Sequence, residues 1–440
     1  MDLMEAFEVY RNIPKPIIIK ADMVRLGSTY SEVALEEARK IKDIRFKSYG
    51  IFSFDISETV LLKDMMPAQI YLEDGSEDGI YVQFRLAHES PYLIDFMDGK
   101  FVVKWNGEWV ANVDHFCKQG KFANRAFSDG TPYEACVFSG ADDMLFVVAN
   151  KHCDYFSKGL ECQFCDLTHQ AAAQKKGGEA MVLRKQADRV AEVLDVGLHE
   201  KRYRHIIITG GTLLSTYQDM SGLEWYANLL DTIRKKIRVW YPACIQIEAL
   251  DDEGWKRIHD TGVPTIQPNI EVWDKRLFEI ICPGKAKTVG YDEWIKRVIN
   301  AVKYWGPGNV NPNFVTGVEM AQPFGFKKWE DAVKSTLSGY DFLMSNGVVP
   351  RQGDMWCREP KSKLAGQPAP PLEYYLEIGL GYLELTKKYN FPASSPSLCR
   401  RCIPHGTEYD FEYFEYFHDN SVASKDDKEK SPKGGEMPDH

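Results

Sequence analysis

From about residue 141 the chain alternates between two hydrophobic periods. Short apolar runs at 144–149, 205–209, within 238–250, and at 265–272, 313–320 and 348–356 read as buried strands. Between them, apolar residues recurring at helical spacing predict helices over 183–198, 223–234, 252–261, 291–304 and 329–346. Six strands alternating with helices imply parallel βαβ units, arranged as a doubly wound sheet or a barrel. Either way ligands belong at the carboxyl ends of the strands. Those ends deliver Gly210-Gly211-Thr212, Glu248, Asn269 and Glu271, Gly317 and Glu319, and the segment 351–354.

Residues 1–140 follow another pattern. A helix is expected over 30–47, then period-two alternation at 69–72, 79–85 and 100–105, broken by the hairpin dipeptides Asp98-Gly99 and Asn106-Gly107. The expectation is a mixed, partly antiparallel N-terminal region (1–140) and a parallel α/β unit (141–370). A C-terminal extension (371–418), with a helix over 373–389, and a disordered polar tail (419–440) complete the chain. Tyr409, Tyr413 and Tyr416 in the extension are better read as packing than as a stacking surface.

Composition narrows the partners. The 440 residues are 44% hydrophobic and 27% charged, ordinary for a globular protein. The net charge of −10 argues against nucleic acid or an anionic membrane surface. No apolar run approaches the ~20 residues of a membrane helix, so a cytoplasmic location is expected.

Ten cysteines are many for such a location, and their grouping favours metal binding over disulfides. Cys153, Cys162 and Cys165 fall within thirteen residues, just past the first strand of the α/β unit. Read alone, they suit either zinc, completed by His152 or His169, or an iron–sulfur cluster with one iron left open. Cys399 and Cys402, with His405 and the distant Cys357, form a candidate second metal set for zinc or an auxiliary cluster. Cys117, Cys136, Cys244 and Cys282 read as packing residues.

Three features over residues 141–370 resemble the radical S-adenosylmethionine (SAM) superfamily. These are the pair Cys162-Gln-Phe164-Cys165, the second-strand segment Ile208-Thr-Gly-Gly211, and Asn269-Ile-Glu271, which is similar to the ribose-binding segment of the biotin synthase branch. The chain departs from the family in two places. Eight residues separate Cys153 from Cys162 where three are usual, and Thr212 stands where an acidic residue is usual.

The resemblance implies a parallel partial (β/α)6 barrel. Cys153, Cys162 and Cys165 would bind three irons of a [4Fe-4S] cluster, the fourth taking the amino and carboxylate groups of SAM. Gly210, Gly211 and Thr212 would approach the SAM amino group, Asn269 and Glu271 the ribose, Glu248 and Glu319 SAM or substrate, and Phe164 the adenine or the cluster. It also implies a low-potential electron donor such as flavodoxin or ferredoxin, and a small-molecule substrate in cofactor or specialised-metabolite biosynthesis. Two alternatives stay open: cleavage to a 3-amino-3-carboxypropyl radical, and a non-catalytic zinc-bound protein that binds a ligand or a partner.

Overall fold

The computed structural model describes residues 1–47, 66–75, 79–176, 182–350, 355–358, 360–391, 406–407 and 410–412. The segment 351–354, Tyr409, Tyr413, Tyr416 and the tail 419–440 lie outside the described residues, as do Cys399, Cys402 and His405.

The N-terminal region opens with α1 (Leu3–Val9), α2 (Lys15–Leu26), β1 (Thr29–Tyr30) and α3 (Glu32–Lys40). The helix expected over 30–47 is shorter than its pattern suggested. Ser31 caps it by accepting from Ala34 N, and the chain leaves the helix at Ile41 for a turn at Asp43 with φ 63°. Then come β2 (Phe46–Lys47), β3 (Met66–Pro67), β4 (Gln69–Leu72), β5 (Ile80–Gln83), β6 (Tyr92–Met97), β7 (Lys100–Trp105) and β8 (Glu108–Phe116). Six of these form one sheet in the order β1-β6-β7-β8-β4-β5, antiparallel except where β1 joins β6. Both expected hairpins are present, with Asp98-Gly99 and Asn106-Gly107 all at positive φ, the conformation that matches strand twist.

The second sheet has the order β13-β12-β11-β10-β9. Its strands are β9 (Phe138–Ala141), β10 (Met144–Asn150), β11 (His205–Gly210), β12 (Ala243–Gln246) and β13 (Thr265–Gln267). From β10 to β13 every pairing is parallel, and β9 adds an antiparallel edge. The crossings are α4 (Asp154–Ser157), α5 (Leu167–Lys176) and α6 (Ala187–Leu198) after β10, α7 (Gly222–Ile237) after β11, and α8 (Asp252–Asp260) after β12. After β13 come α9 (Lys275–Ile281), α10 (Pro283–Thr288), α11 (Tyr291–Trp305), α12 (Trp329–Ser345) and α13 (Leu372–Tyr389).

Beyond β13 the sheet curls on without regular strands. Isolated parallel bridges join Ile266 to Val310 and Glu271 to Phe314, Val349 N donates to Val310 O, and Trp356 N donates to Thr316 O. Pro312 has no N–H for a ladder, and Gly317 turns left-handed (φ 97°) into a single 3-10 turn, so the run expected over 313–320 is broken. The architecture is thus a mixed α/β fold with a curled, partly closed parallel sheet.

Candidate active site

The loop after β10 is built before any thiol is placed. Asn150, fully buried, donates from Nδ2 to Gly211 O and accepts from His152 N, turning the chain at the strand end. Cys153 follows. The adjacent Asp154 carboxylate then accepts three hydrogen bonds at Oδ2, from Leu214 N, Ser215 N and Ser215 Oγ, at 2.8–2.9 Å. Burial would raise the Asp154 pKa, but these bonds outweigh it and hold the group below the ordinary carboxylate value. Further on, Tyr155 packs against Gly284 with its hydroxyl 2.7 Å from Thr288 Oγ1, and Gln163 N donates to Ile281 O.

All three thiols of the loop line one cavity of about 420 Å³. Burial pushes the Cys153 and Cys165 thiols up, whereas a hydrogen bond from the Cys282 thiol holds Cys162 down. Cys282, packed in the core as expected, is in addition a neighbour of the Cys162 thiol, a role that no local sequence signal announces.

The other expected residues arrive from successive strand ends. Gly210 and Gly211 close β11, and a Cβ on Gly211 would lie 2.3 Å from His152 O and 2.7 Å from Cys153 Cα and Cβ. The glycine at 211 thus gives room to the cysteine loop itself. Gly211 O accepts from Tyr226, and Thr212 O accepts from Asp154 N. Phe164, Gly210, Gly211, Thr212, Glu248, Asn269 and Glu271 all line the same cavity as the thiols.

Two carboxylates set the charge there. Glu248, just past β12, has no hydrogen bond or ion pair among the described residues, and burial raises its pKa against the pull of Lys285 and Arg297. Glu271 sits in the left-handed region (φ 73°) and pairs through Oε1 with Lys285 Nζ at 2.5 Å. Lys285 also donates to Asn269 O, lies over the Trp294 ring, and is held protonated well above its ordinary value despite burial, with Glu271 the largest favourable influence. Asn269 Oδ1 accepts from Asn313 N, while Asn313 Oδ1 is buried without a partner.

Glu319 is not brought to this wall. It is buried, with its carboxylate accepting from Thr336 Oγ1, Gly317 N and the Tyr374 hydroxyl, so it ties the turn after Gly317 to α12 and α13. Cys357 does reach the cavity, whereas its expected companions Cys399, Cys402 and His405 lie outside the described residues. The N-terminal region contributes wall residues that sequence reading did not anticipate: Arg45, Gln69 and Gln83.

The donor set fits an iron–sulfur cluster. Among the described residues no three His, Cys, Asp or Glu side chains are grouped to hold one metal ion, and three thiols on one cavity wall are the ligand type that such a cluster takes. A curated relative, bacteriochlorophyllide c C-7(1)-hydroxylase of Chlorobaculum limnaeum, is 23% identical over 283 residues, covering 60% of this chain and 64% of that protein. The chain resembles the radical SAM enzymes. The match spans just under two thirds of that relative's length.

No protein-family model matches the chain. Among solved structures, methylornithine synthase aligns over 61% of this chain and 72% of its own at a TM-score of 0.38 and 14% identity. The FeFe-hydrogenase maturase HydG from Carboxydothermus hydrogenoformans aligns over 60% and 56% at a TM-score of 0.39 and 13% identity. No helix among the described residues is long and apolar enough to cross a membrane.

Proposed function

We propose that this chain is a radical SAM enzyme, built on a partial (β/α)6 barrel, that modifies a small molecule in a biosynthetic pathway. The observation that carries the reading is the convergence of Cys153, Cys162 and Cys165 with Glu248, Asn269 and Glu271 in one cavity at the carboxyl ends of parallel strands. In this reading the three thiolates hold a [4Fe-4S] cluster, and the Glu271 oxygen not taken by Lys285, with Asn269, faces the ribose of SAM. The unpaired Glu248 faces the amino group of SAM or the substrate. Reductive cleavage of SAM at such a cluster supplies a 5′-deoxyadenosyl radical; the protein orients it and keeps solvent away. The apolar inner wall, with Phe138, Met144, Phe146, Val148 and Ile207, suits a substrate with a hydrophobic body, and hydroxylation of a tetrapyrrole, as the relative's name describes, is one such reaction. Cys399, Cys402 and His405 stay candidates for a second metal.

The test is anaerobic reconstitution with iron and sulfide, then EPR of the dithionite-reduced protein with and without SAM. A [4Fe-4S]⁺ signal that SAM perturbs, and that Cys162→Ala removes, supports the reading and requires an iron that Cys357 does not cap. Colourless protein carrying zinc without iron, or a signal indifferent to SAM, overturns it. In the active case, 5′-methylthioadenosine in place of 5′-deoxyadenosine would assign the chain to the 3-amino-3-carboxypropyl alternative.

A further inference from the structure

The cavity has a second polar end that no part of the cluster chemistry uses. Arg45, only 4% exposed, reaches it from just before β2. Its guanidinium lies 4.5 Å above the Phe138 ring, and Nη1 donates to Ser139 O at 2.5 Å. Nε is buried without a partner, and no carboxylate among the described residues pairs with the group. The charged side chains nearby are committed elsewhere: Asp142 pairs with Arg202 and faces His115. The neighbouring amides offer no alternative donor. Gln69 Nε2 is engaged with Gln83 Oε1 and Gly140 O, and Gln83 Nε2 with Ala68 O and Phe84 O, while Gln69 Oε1 has no donor of its own.

A buried guanidinium without a counter-charge is costly, and an arriving carboxylate, which matches its donor geometry, removes that cost. We propose that Arg45 is a recognition subsite for a carboxylate of the substrate, with Gln69 Oε1 accepting from the water or hydroxyl beside it. Its place in the sheet sets the substrate's length. Phe138 pairs with Phe146 on β10, and four further residues lead to Asn150 at the start of the cysteine loop. At ~3.3 Å per residue this separates the cation from the cluster end by about 13 Å or more. The wall between is apolar, through Phe146, Val148 and Ile207. The substrate class is therefore an elongated or broad apolar molecule whose carboxylate stands at the end remote from the carbon that reacts.

This rests on reading the cavity as the substrate site, but its test is separate from the EPR experiment. Reconstituted full-length protein with SAM is titrated calorimetrically with decanoate and with 1-decanol. Decanoate should bind about 10- to 100-fold more tightly, the range of a charge-assisted hydrogen bond. Arg45→Met should abolish the preference and Arg45→Lys keep part of it, with the SAM-perturbed EPR signal intact in both. Without ligand, Arg45→Met should melt no lower than the wild type, because an unpaired buried charge is removed. Equal binding of the two probes, binding of neither, or a preference that survives Arg45→Met overturns the proposal. Should Arg45→Met not fold, the wild-type comparison and Arg45→Lys decide it.

Discussion

Asp154 is the residue whose loss should separate the cluster loop from the rest of the protein most cleanly. Its Oδ2 holds the backbone of Leu214 and Ser215 and the Ser215 hydroxyl across 60 or 61 residues of sequence, and its own N–H is fixed by Thr212 O. In Asp154→Ala the backbone bond from Asp154 N survives and the three side-chain bonds do not. Hydrogen bonds to a charged group contribute about 1.5–3 kcal/mol when one partner is truncated, and leaving donors unsatisfied costs more where water cannot enter. Leu214 and Ser215 are exposed, so water takes over part of the loss, and about 2 kcal/mol is the expectation for the three together. At roughly 2.1 cal/mol/K per residue over about 440 residues, that is a fall in Tm of only about 2 °C. The larger effect is local. With Cys153 next to the released anchor, reconstituted iron should drop by more than half while the fold persists. Circular dichroism melts and iron analysis of anaerobically reconstituted protein measure both quantities. Wild-type iron content with an unchanged SAM-perturbed EPR signal would refute the idea that Asp154 positions the loop.

Two further predictions come from other parts of the same construction. Gly211→Ala should lower iron content more than Gly210→Ala, because its Cβ would press on His152 O and on Cys153 itself whereas that of Gly210 first meets the Tyr226 hydroxyl and Asn150; equal and full iron in both would be the contrary result. Lys185, buried with Lys151 nearby, has its pKa lowered to about 7, so between pH 7 and 10 the unfolded chain carries a proton that the folded one does not. Stability should accordingly rise by about 2 kcal/mol from pH 7 to 9 on this account, and urea titrations should show the rise lost in Lys185→Met.

What the sequence disclosed depended on whether a local pattern existed. Helices α7, α8, α11, α12 and α13 end within a few residues of their amphipathic stretches, because each buries one face in the protein and leaves the other in water. Helix α2 was invisible for the opposite reason: Ile17 to Val24 are all buried, Lys20 and Asp22 included, so no polar face marks its period. The apolar runs of β10 to β13 were legible, and the irregular continuation through Pro312 and Gly317 was not, since hydrophobicity persists where the ladder fails. At the site, residue type and position after a strand pointed to the cysteines, Glu248, Asn269 and Glu271. Glu319 met the same criterion yet faces Tyr374 and Thr336, because the turn at Gly317 redirects the chain. Arg45, Asp154 and Cys282 gain their roles only from partners 60 to 120 residues away, which no window along the chain contains.

The eight residues between Cys153 and Cys162 are the clearest departure from the radical SAM pattern, and the structure gives them work. They form α4 and a left-handed turn at Gly159 (φ 65°), and they dock on the segment from α9 to α10. Tyr155 is 2% exposed, packed so closely on Gly284 that a Cβ there would lie 2.5 Å from its ring and 2.6 Å from Leu160 O. The same segment supplies Ile280 O and Ile281 O to Gln163, Cys282 to Cys162, and Lys285 to Glu271. A three-residue spacer is too short to include Asp154, Tyr155 and Gly159 with the contacts they make here. The added length therefore does not loosen the thiol geometry. It fixes Cys153 to the end of β11 through Asp154, brings Tyr155, Cys162 and Gln163 onto the segment that also carries Lys285, and so couples the thiol wall and the Glu271 wall of the cavity through one stretch of chain.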